Sequence, residues 1–451
     1  MMKKYKKILI GTAIVIGLLV ILPFLIPLQT YLHEAEKIAS EKLGASVTIN
    51  SAHLYLLPSP RVVASGITVG EHHELKVESL VITPTIGSLF SATKIIDLTI
   101  SRPIVKKAAL EIVSALSAKK TESSEAAAVN IRHVKVDELQ LVWPDVEFPV
   151  INVEVMLTDT NKLQSALIET IDGKLKADVT PEDDGHLIVA NAEKWTLPAG
   201  LPLLIDKAKV EMHLKDSRLA MPIIDVALYQ GKLTGNATLS WQENKGKANW
   251  RANGKLKVEN LSVKEPTSMV SKSTYLSGHL FGKGNFSASA KEAGQLMDRL
   301  RADFRFNVKK GVLHGVDLVK AASLLLKQGQ RGGETEFEEF SGLLNVSGRQ
   351  YHLRELKISS GLLAAAGQIK ISPKKELNGA VEVEVKRSVS LAAIPLEVSG
   401  TVSNPVVLPS KAALAGAVAG TAVLGPGVGT GLGVKAGGAL DKLKGLFGDE
   451  K

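Results

Sequence analysis

The chain has 451 residues, 45% hydrophobic but only 4% aromatic, with 22% charged residues and no cysteine. That is the composition of an ordered chain rather than a disordered one, and the absence of cysteine excludes disulfides, thiol nucleophiles, thiolate zinc sites and iron–sulfur clusters. The formal charge of +9 overstates the basic character, because Lys3, Lys4, Lys6 and Lys7 supply four of those charges at the extreme N-terminus. Elsewhere bases alternate with acids, so no nucleic-acid partner is expected.

From Ile8 to Leu28 there are 21 residues without a charge. A helix of that length reaches roughly 30 Å, the thickness of a bilayer's hydrocarbon core. The four lysines before it and the mixed charges of Gln29 to Glu41 after it predict a cytoplasmic N-terminus, one membrane pass and a body on the far side. A cleaved signal peptide would have a shorter apolar run ending at small residues, and Pro23, Pro27 and the bulky Leu28 to Tyr31 supply no such site. Next, Tyr31, Leu32, Ala35, Ile38, Ala39 and Leu43 recur at helical spacing and Gly44 provides a stop, which predicts a short amphipathic helix.

Beyond residue 44 the dominant period is two. Val153, Val155 and Leu157 alternate with polar neighbours, as do Leu175, Ala177 and Val179, and Val210, Met212 and Leu214. The pattern continues through Leu233, Ala237, Leu239 and Trp241, through Leu256 and Val258, through Phe304, Phe306 and Val308, through Val381, Val383 and Val385, and through Leu396, Val398 and Val402. Each run is a strand with one apolar and one polar face, the pattern of antiparallel sheet wetted on one side. Turn residues separate the runs at Pro181 to Gly185, Glu243 to Gly246, Lys309 to Gly311, Ser347 to Gly348 and Pro373 to Lys375. Helical interruptions are expected near Lys291 to Leu300 and over 316–328. The expected divisions are a tip and anchor over 1–28, a helix and strands over 29–116, a linker or long loop over 117–130, a central β-meander over 131–290, a further β region over 291–410 and a Gly/Ala-rich tail with a short helix over 411–451. The apolar faces can close against a second sheet as a sandwich, or the sheet can curl around an open groove.

No catalytic constellation emerges. His72 and His73 are adjacent, so in a strand they would point to opposite faces and could not chelate one ion, and no paired metal-ligand spacing occurs. The glycine-rich run from Gly425 to Gly433 lacks both a P-loop ending and a dinucleotide fingerprint. Pairs such as Asp183 with Asp184 and Glu338 with Glu339 are read as solvated residues. The expectation is a protein that is not an enzyme, with no catalytic, cofactor-binding or metal site and no cofactor.

The helix end at Leu43 and Gly44 running into Ala45 to Asn50, the stretch Ile96 to Pro103, then Lys310 to Leu318, Gly333 to Phe337, Ser341 to Val346 and Gly400 to Val406, with a tail containing Gly425 to Thr430 and Lys442 to Phe447, recur here in order and spacing. Together they resemble the AsmA-like family of inner-membrane-anchored periplasmic proteins. The resemblance is strong at both ends and rests on strand pattern alone over roughly 130–290. It implies a mainly β fold, an elongated, curved antiparallel sheet of the β-taco or lipid-transfer-groove kind with a few short helices, after one N-terminal transmembrane helix. It also implies a Gram-negative cell envelope, a single-pass inner-membrane location with the body periplasmic, and phospholipid handling in lipid transport or outer-membrane assembly. Membrane lipid is then the expected partner, with other envelope proteins possible. The competing expectation is a scaffolding envelope protein with a closed β core and no lipid cargo.

Overall fold

The computed structural model describes residues 28–109, 112, 129–144, 146–198, 200–244, 247–322, 332–386 and 393–415. The expected membrane span therefore lies outside the described residues except for Leu28, and so do most of the linker, the later part of the helix expected over 316–328, and the tail beyond 415. Among the described residues no helix is long and apolar enough to cross a membrane. The chain divides into two compact units, residues 1–202 and 203–451.

The first unit contains helix α1 (Leu28–Leu43) and strands β1 (Val47–Tyr55), β2 (Arg61–Val69), β3 (Leu75–Pro84), β4 (Lys94–Ser101), β5 (Ile104–Lys106), β6 (Val129–Trp143), β7 (Val146–Glu147), β8 (Ile151–Leu157), β9 (Leu163–Thr170), β10 (Leu175–Glu182) and β11 (Gly185–Thr196). Helix α1 ends where Gly44 takes φ +67°, a conformation glycine adopts freely. Its polar side chains then serve the outer edge of β1. The Ser40 hydroxyl accepts from the Val47 N–H at 2.9 Å, and Glu36 Oε1 accepts from the Ile49 N–H at 2.7 Å. That backbone hydrogen bond, with a second from His33, holds the Glu36 carboxyl below its ordinary range. An unpaired strand edge is a template for aggregation, and α1 blocks this one.

The sheet is not wholly antiparallel as expected. β4 and β5 are two halves of one strand, broken at Arg102 and Pro103, and both run parallel to β6. Parallel neighbours need a crossover of a dozen residues or more, and residues 107–128 provide that length. Val129 and Asn130, read from sequence as the end of the linker, are the first residues of β6. His72 and His73 lie in the turn between β2 and β3 rather than in a strand.

The second unit is a meander in which each strand is antiparallel to the next: β12 (Leu204–Lys215), β13 (Arg218–Leu228), β14 (Gly231–Asn244), β15 (Lys247–Ser262), β16 (Tyr275–Ala290), β17 (Arg301–His314), β18 (Glu334–Ser347), β19 (Gln350–Ser359), β20 (Leu363–Ile371), β21 (Leu377–Val385), β22 (Ile394–Thr401) and β23 (Asn404–Pro409). Helix α2 (Lys264–Val270) joins β15 to β16, and α3 (Leu318–Ala321) follows β17. The helix expected near 291–300 is instead two 3₁₀ turns, Ala293–Gln295 and Met297–Arg299. Lys309 to Gly311, expected as a hairpin turn, lies inside β17: Lys310 takes φ +50° as a bulge residue and the strand continues, with Gly311 paired to Phe337. Val402, expected on a strand face, sits in the β22–β23 turn.

This second sheet coils upon itself. The Ser273 hydroxyl, just before β16, donates to the Ser403 carbonyl in the β22–β23 turn. Seven strand steps separate the two, about 34 Å in a flat sheet. Twist alone would leave the two regions that far apart, so the sheet also curls about the strand direction to bring them together. Helix α3 touches β18, β21 and β23 at once and lies over the apolar face. The resulting core joins Phe306, Val308, Leu318, Ala321, Leu363, Val383, Leu396 and Ala413. Glycines opposite an aromatic ring tighten it: Gly282 pairs with Phe306 and Phe306 with Gly342, and outside the core Gly254 pairs with Phe286 in the same way. Glycine ordinarily weakens a strand, but here the neighbouring rings occupy the space a side chain would fill. A Cβ on Gly282 would stand 2.5 Å from the Phe304 ring.

Candidate functional site: an unsealed apolar sheet face

Strict register in the first unit sets one side chain from each of nine strands in line. Leu54 lies opposite Val62, Val62 opposite Ile82, Ile82 opposite Leu98 and Leu98 opposite Val134. The line continues through Val155, Ala166, Val179 and Ile188. A second line runs beside it from Ala52 to Ala190 through Leu80, Ile100, Val136, Val153 and Ile168. Directly opposed residues share a face, so these lines form one apolar surface eight strand steps, or about 38 Å, wide.

Every member of the two lines is half-buried and none is sealed. The buried apolar residues described in this unit, among them Val47, Val69, Pro103, Ala109 and Ala192, lie off these lines. Helix α1 does not cover the face, because it is held along the β1 edge. The reverse face is mixed: it carries charged pairs, with Lys135 Nζ 3.0 Å from Asp137, Arg132 bonded to Asp97, and His133 Nε2 2.9 Å from Glu154, beside half-buried Val63, Val81, Leu167 and Val189. Such exposed pairs stabilise little, and their effect is to keep that part of the face in water. Among the described residues of the first unit, no helix or second sheet packs over this large aliphatic face.

In the second unit the same kind of face is closed at one end. There Phe306, Val308, Leu356, Ile358, Val381 and Val383 are buried. Along the same strands Phe304, Leu344, Leu353 and Ile369 are half-buried, as are Leu239, Trp241 and Trp250, the two tryptophans stacking at 5.2 Å between ring centres. On the polar side Lys257 lies opposite Lys283 and Lys283 opposite Arg305, beside a cavity of about 500 Å³.

The alternation read from sequence places Val153, Val155, Ala177 and Val179 correctly on the open face. It missed Leu54, Val62, Ile82, Leu98, Val134 and Ala166. In β2, β3 and β4 apolar residues also occupy the other face, as in Val62-Val63 and Leu80-Val81-Ile82, which erases the period of two. Only cross-strand register recovers these positions. Among the described residues no group of three or more His, Asp or Glu side chains could hold a metal ion. Asp183 and Asp184 form the β10–β11 turn, and Glu339 accepts a hydrogen bond from Asn307 at 2.6 Å.

Two of the segments that carried the family resemblance, Lys310 to Leu318 and Gly333 to Phe337, have a structural part. Asp317 caps α3 by accepting from the Lys320 N–H at 3.0 Å. The buried Thr335 hydroxyl accepts from the Leu318 N–H at 2.9 Å and donates to the Val316 carbonyl at 2.8 Å. A Cβ on Gly333, at φ +90°, would stand 2.7 Å from the Asp317 Cβ. Lys310 to Leu318 and Gly333 to Phe337 therefore hold in place the helix that seals the second unit's core.

Residues 97–349 match the AsmA family. The chain belongs to the AsmA family. The match runs from β4 through β18 and includes the middle of the chain, where sequence reading had only strand pattern to go on; Ala45 to Asn50, Gly400 to Val406 and the tail fall outside it. No curated protein and no solved structure matches the chain. Membership of the AsmA family carries a general role connected with the cell envelope and its lipids.

Proposed function

We propose that this AsmA-family protein is anchored in the inner membrane by residues 8–28, with its body in the periplasm, and handles phospholipid by sheltering acyl chains on the apolar face of the first unit. The observation that supports the reading is the double line of half-buried aliphatic side chains from β1 to β11, over which no other described element of this unit packs. Burial of acyl chain contributes about 0.8 kcal/mol per methylene, so a surface of this kind holds a lipid without any catalytic group. Head groups stay in water at the margin of the face. The anchor rests on the 21 uncharged residues and the four lysines before them. The sealed core of the second unit favours a supporting, scaffold-like part for that unit, which is the alternative role.

Site-specific photo-crosslinking in cells tests the proposal on the full chain. A photoreactive residue at Val155 or Ile168 is expected to capture phosphate-labelled lipid, and one at Lys176, on the charged face, is expected to capture none. Absence of lipid adducts at both apolar positions, or equal labelling of the two faces, would sink the reading.

A further inference from the structure

The β1–β2 and β3–β4 loops lie side by side at one end of the first sheet, because β1 to β4 alternate in direction. Helix α1 runs antiparallel to β1, since Glu36 reaches Ile49 while Ser40 reaches Val47. Four helical residues rise about 6 Å and two strand residues about 6.6 Å, so helix and strand keep pace. The start of α1 at Leu28, where the apolar run 8–28 meets the described structure, therefore lies at the same end as the two loops.

This end exposes apolar side chains that have no reason to face water. Phe90 is 92% exposed, Ile86 58%, Leu57 42% and Tyr55 41%. The β3–β4 loop that presents two of them is tightly pinned. Buried Ser88 donates to the Thr85 carbonyl at 2.8 Å and accepts from the Ile95 N–H at 3.0 Å, and the Lys94 ammonium donates to the Leu89 and Ser91 carbonyls, each at 2.8 Å. The loop backbone is thus fixed without any burial of Ile86 or Phe90. Residues 53–63 and 84–94 contain no acidic side chain, and Arg61 lies over the Tyr55 ring at 5.1 Å.

We infer that this end is a membrane-contact lip, with Ile86, Phe90, Leu57 and Tyr55 entering the boundary between head groups and acyl chains while Arg61 and Lys94 lie at the level of the lipid phosphates. The partner is a lipid surface: the apolar tips match its depth, Arg61 and Lys94 beside them match its charge while the acidic groups of this end, Asp159 and Glu182 to Asp184, are set away toward β8–β11, and the chain's longest apolar run arrives at the same place. The inference rests on the anchored reading and deepens it. Leu54 and Val62, the first members of the open apolar line, adjoin Tyr55 and Arg61, so the lip sets the start of that face against the bilayer as an entry point for acyl chains.

The absence of cysteine makes the test clean. The full chain is reconstituted in lipid nanodiscs as single variants Phe90→Cys, Glu71→Cys and Leu18→Cys, each labelled with an environment-sensitive dye, with and without lipids brominated at defined depths. The label at position 90 is expected to shift to the blue and to be quenched by shallow bromines. The label at position 71, in the turn at the opposite end, is expected to do neither. A label at 18 quenched by deep bromines beside a label at 90 as wet as that at 71 would overturn the lip and leave the anchor standing. No quenching at 18 or 90 would overturn the anchored reading and the lip together. In a second measurement, the double variant Ile86→Ser with Phe90→Ser, which alters only exposed side chains, is expected to lower lipid capture at Val155 several-fold while the protein stays in the membrane. Unchanged capture would overturn the entry role.

Discussion

The two units are made of the same material, short alternating strands joined by tight turns, yet they treat their apolar faces differently. In the first, nine strands line up Leu, Val, Ile and Ala side chains that all remain half-buried. In the second, Leu363, Leu396, Val308 and Val383 are almost wholly withdrawn from solvent. Two physical differences produce this. The second sheet coils far enough for the Ser273–Ser403 contact to form, and it places α3 and the helical residues around Ala413 over the face. It also meshes aromatic rings with glycines across strands, a device missing from the aliphatic lines of the first. Closure is therefore a property of coiling, cover and side-chain size rather than of strand pattern.

The largest expected effects test that contrast directly. Leu396→Ala should destabilise the protein by about 2–5 kcal/mol, the usual cost of a cavity in a packed core. Ile168→Ala, on the open face, should cost about 1 kcal/mol, because the site is already partly in contact with solvent. Denaturant unfolding of both variants makes the comparison; equal losses would mean that the first face is as closed as the second. An effect between these two is expected from Gly282→Ala, which drives a methyl group against the Phe304 ring and should cost about 1–3 kcal/mol. Gly87→Ala, with open space around the added carbon, should change the melting temperature little.

The smallest effect concerns the turn that ends β9. The Thr170 hydroxyl donates to Asp172 at 2.7 Å, and with the Lys174 ammonium and N–H it holds the Asp172 carboxyl down at about 2. The folded value lies below the ordinary 3.8, so the stabilisation is complete above that pH and is lost as pH falls towards 2. Asp172→Asn should flatten the acid limb of the stability curve slightly in that window and leave neutral-pH lipid capture unchanged, which a pH series of thermal melts would read.

Much of this was legible from sequence where one residue type forced one outcome. The stop at Gly44, the two-residue turn at Asp183 and Asp184, and the strand faces around Val155 and Val179 follow from local chemistry. Lys309 to Gly311 misled because two lysines before a glycine suit a turn and a bulge equally well, and the pairing of Gly311 with Phe337 decides between them. The parallel seam between β4 and β6 was equally hidden, since alternation has no direction.

By itself, then, the sequence determined the β class, the two-faced character of the strands, the amphipathic helix before them and the family, because period, turn residues and motifs act within a few positions along the chain. The tertiary structure alone decided which apolar face stays open and which is sealed, and which loops gather at the end where α1 begins. Those outcomes depend on register, twist and contacts between residues as distant as Ser273 and Ser403. No local pattern encodes a sum of small rotations accumulated over many strands.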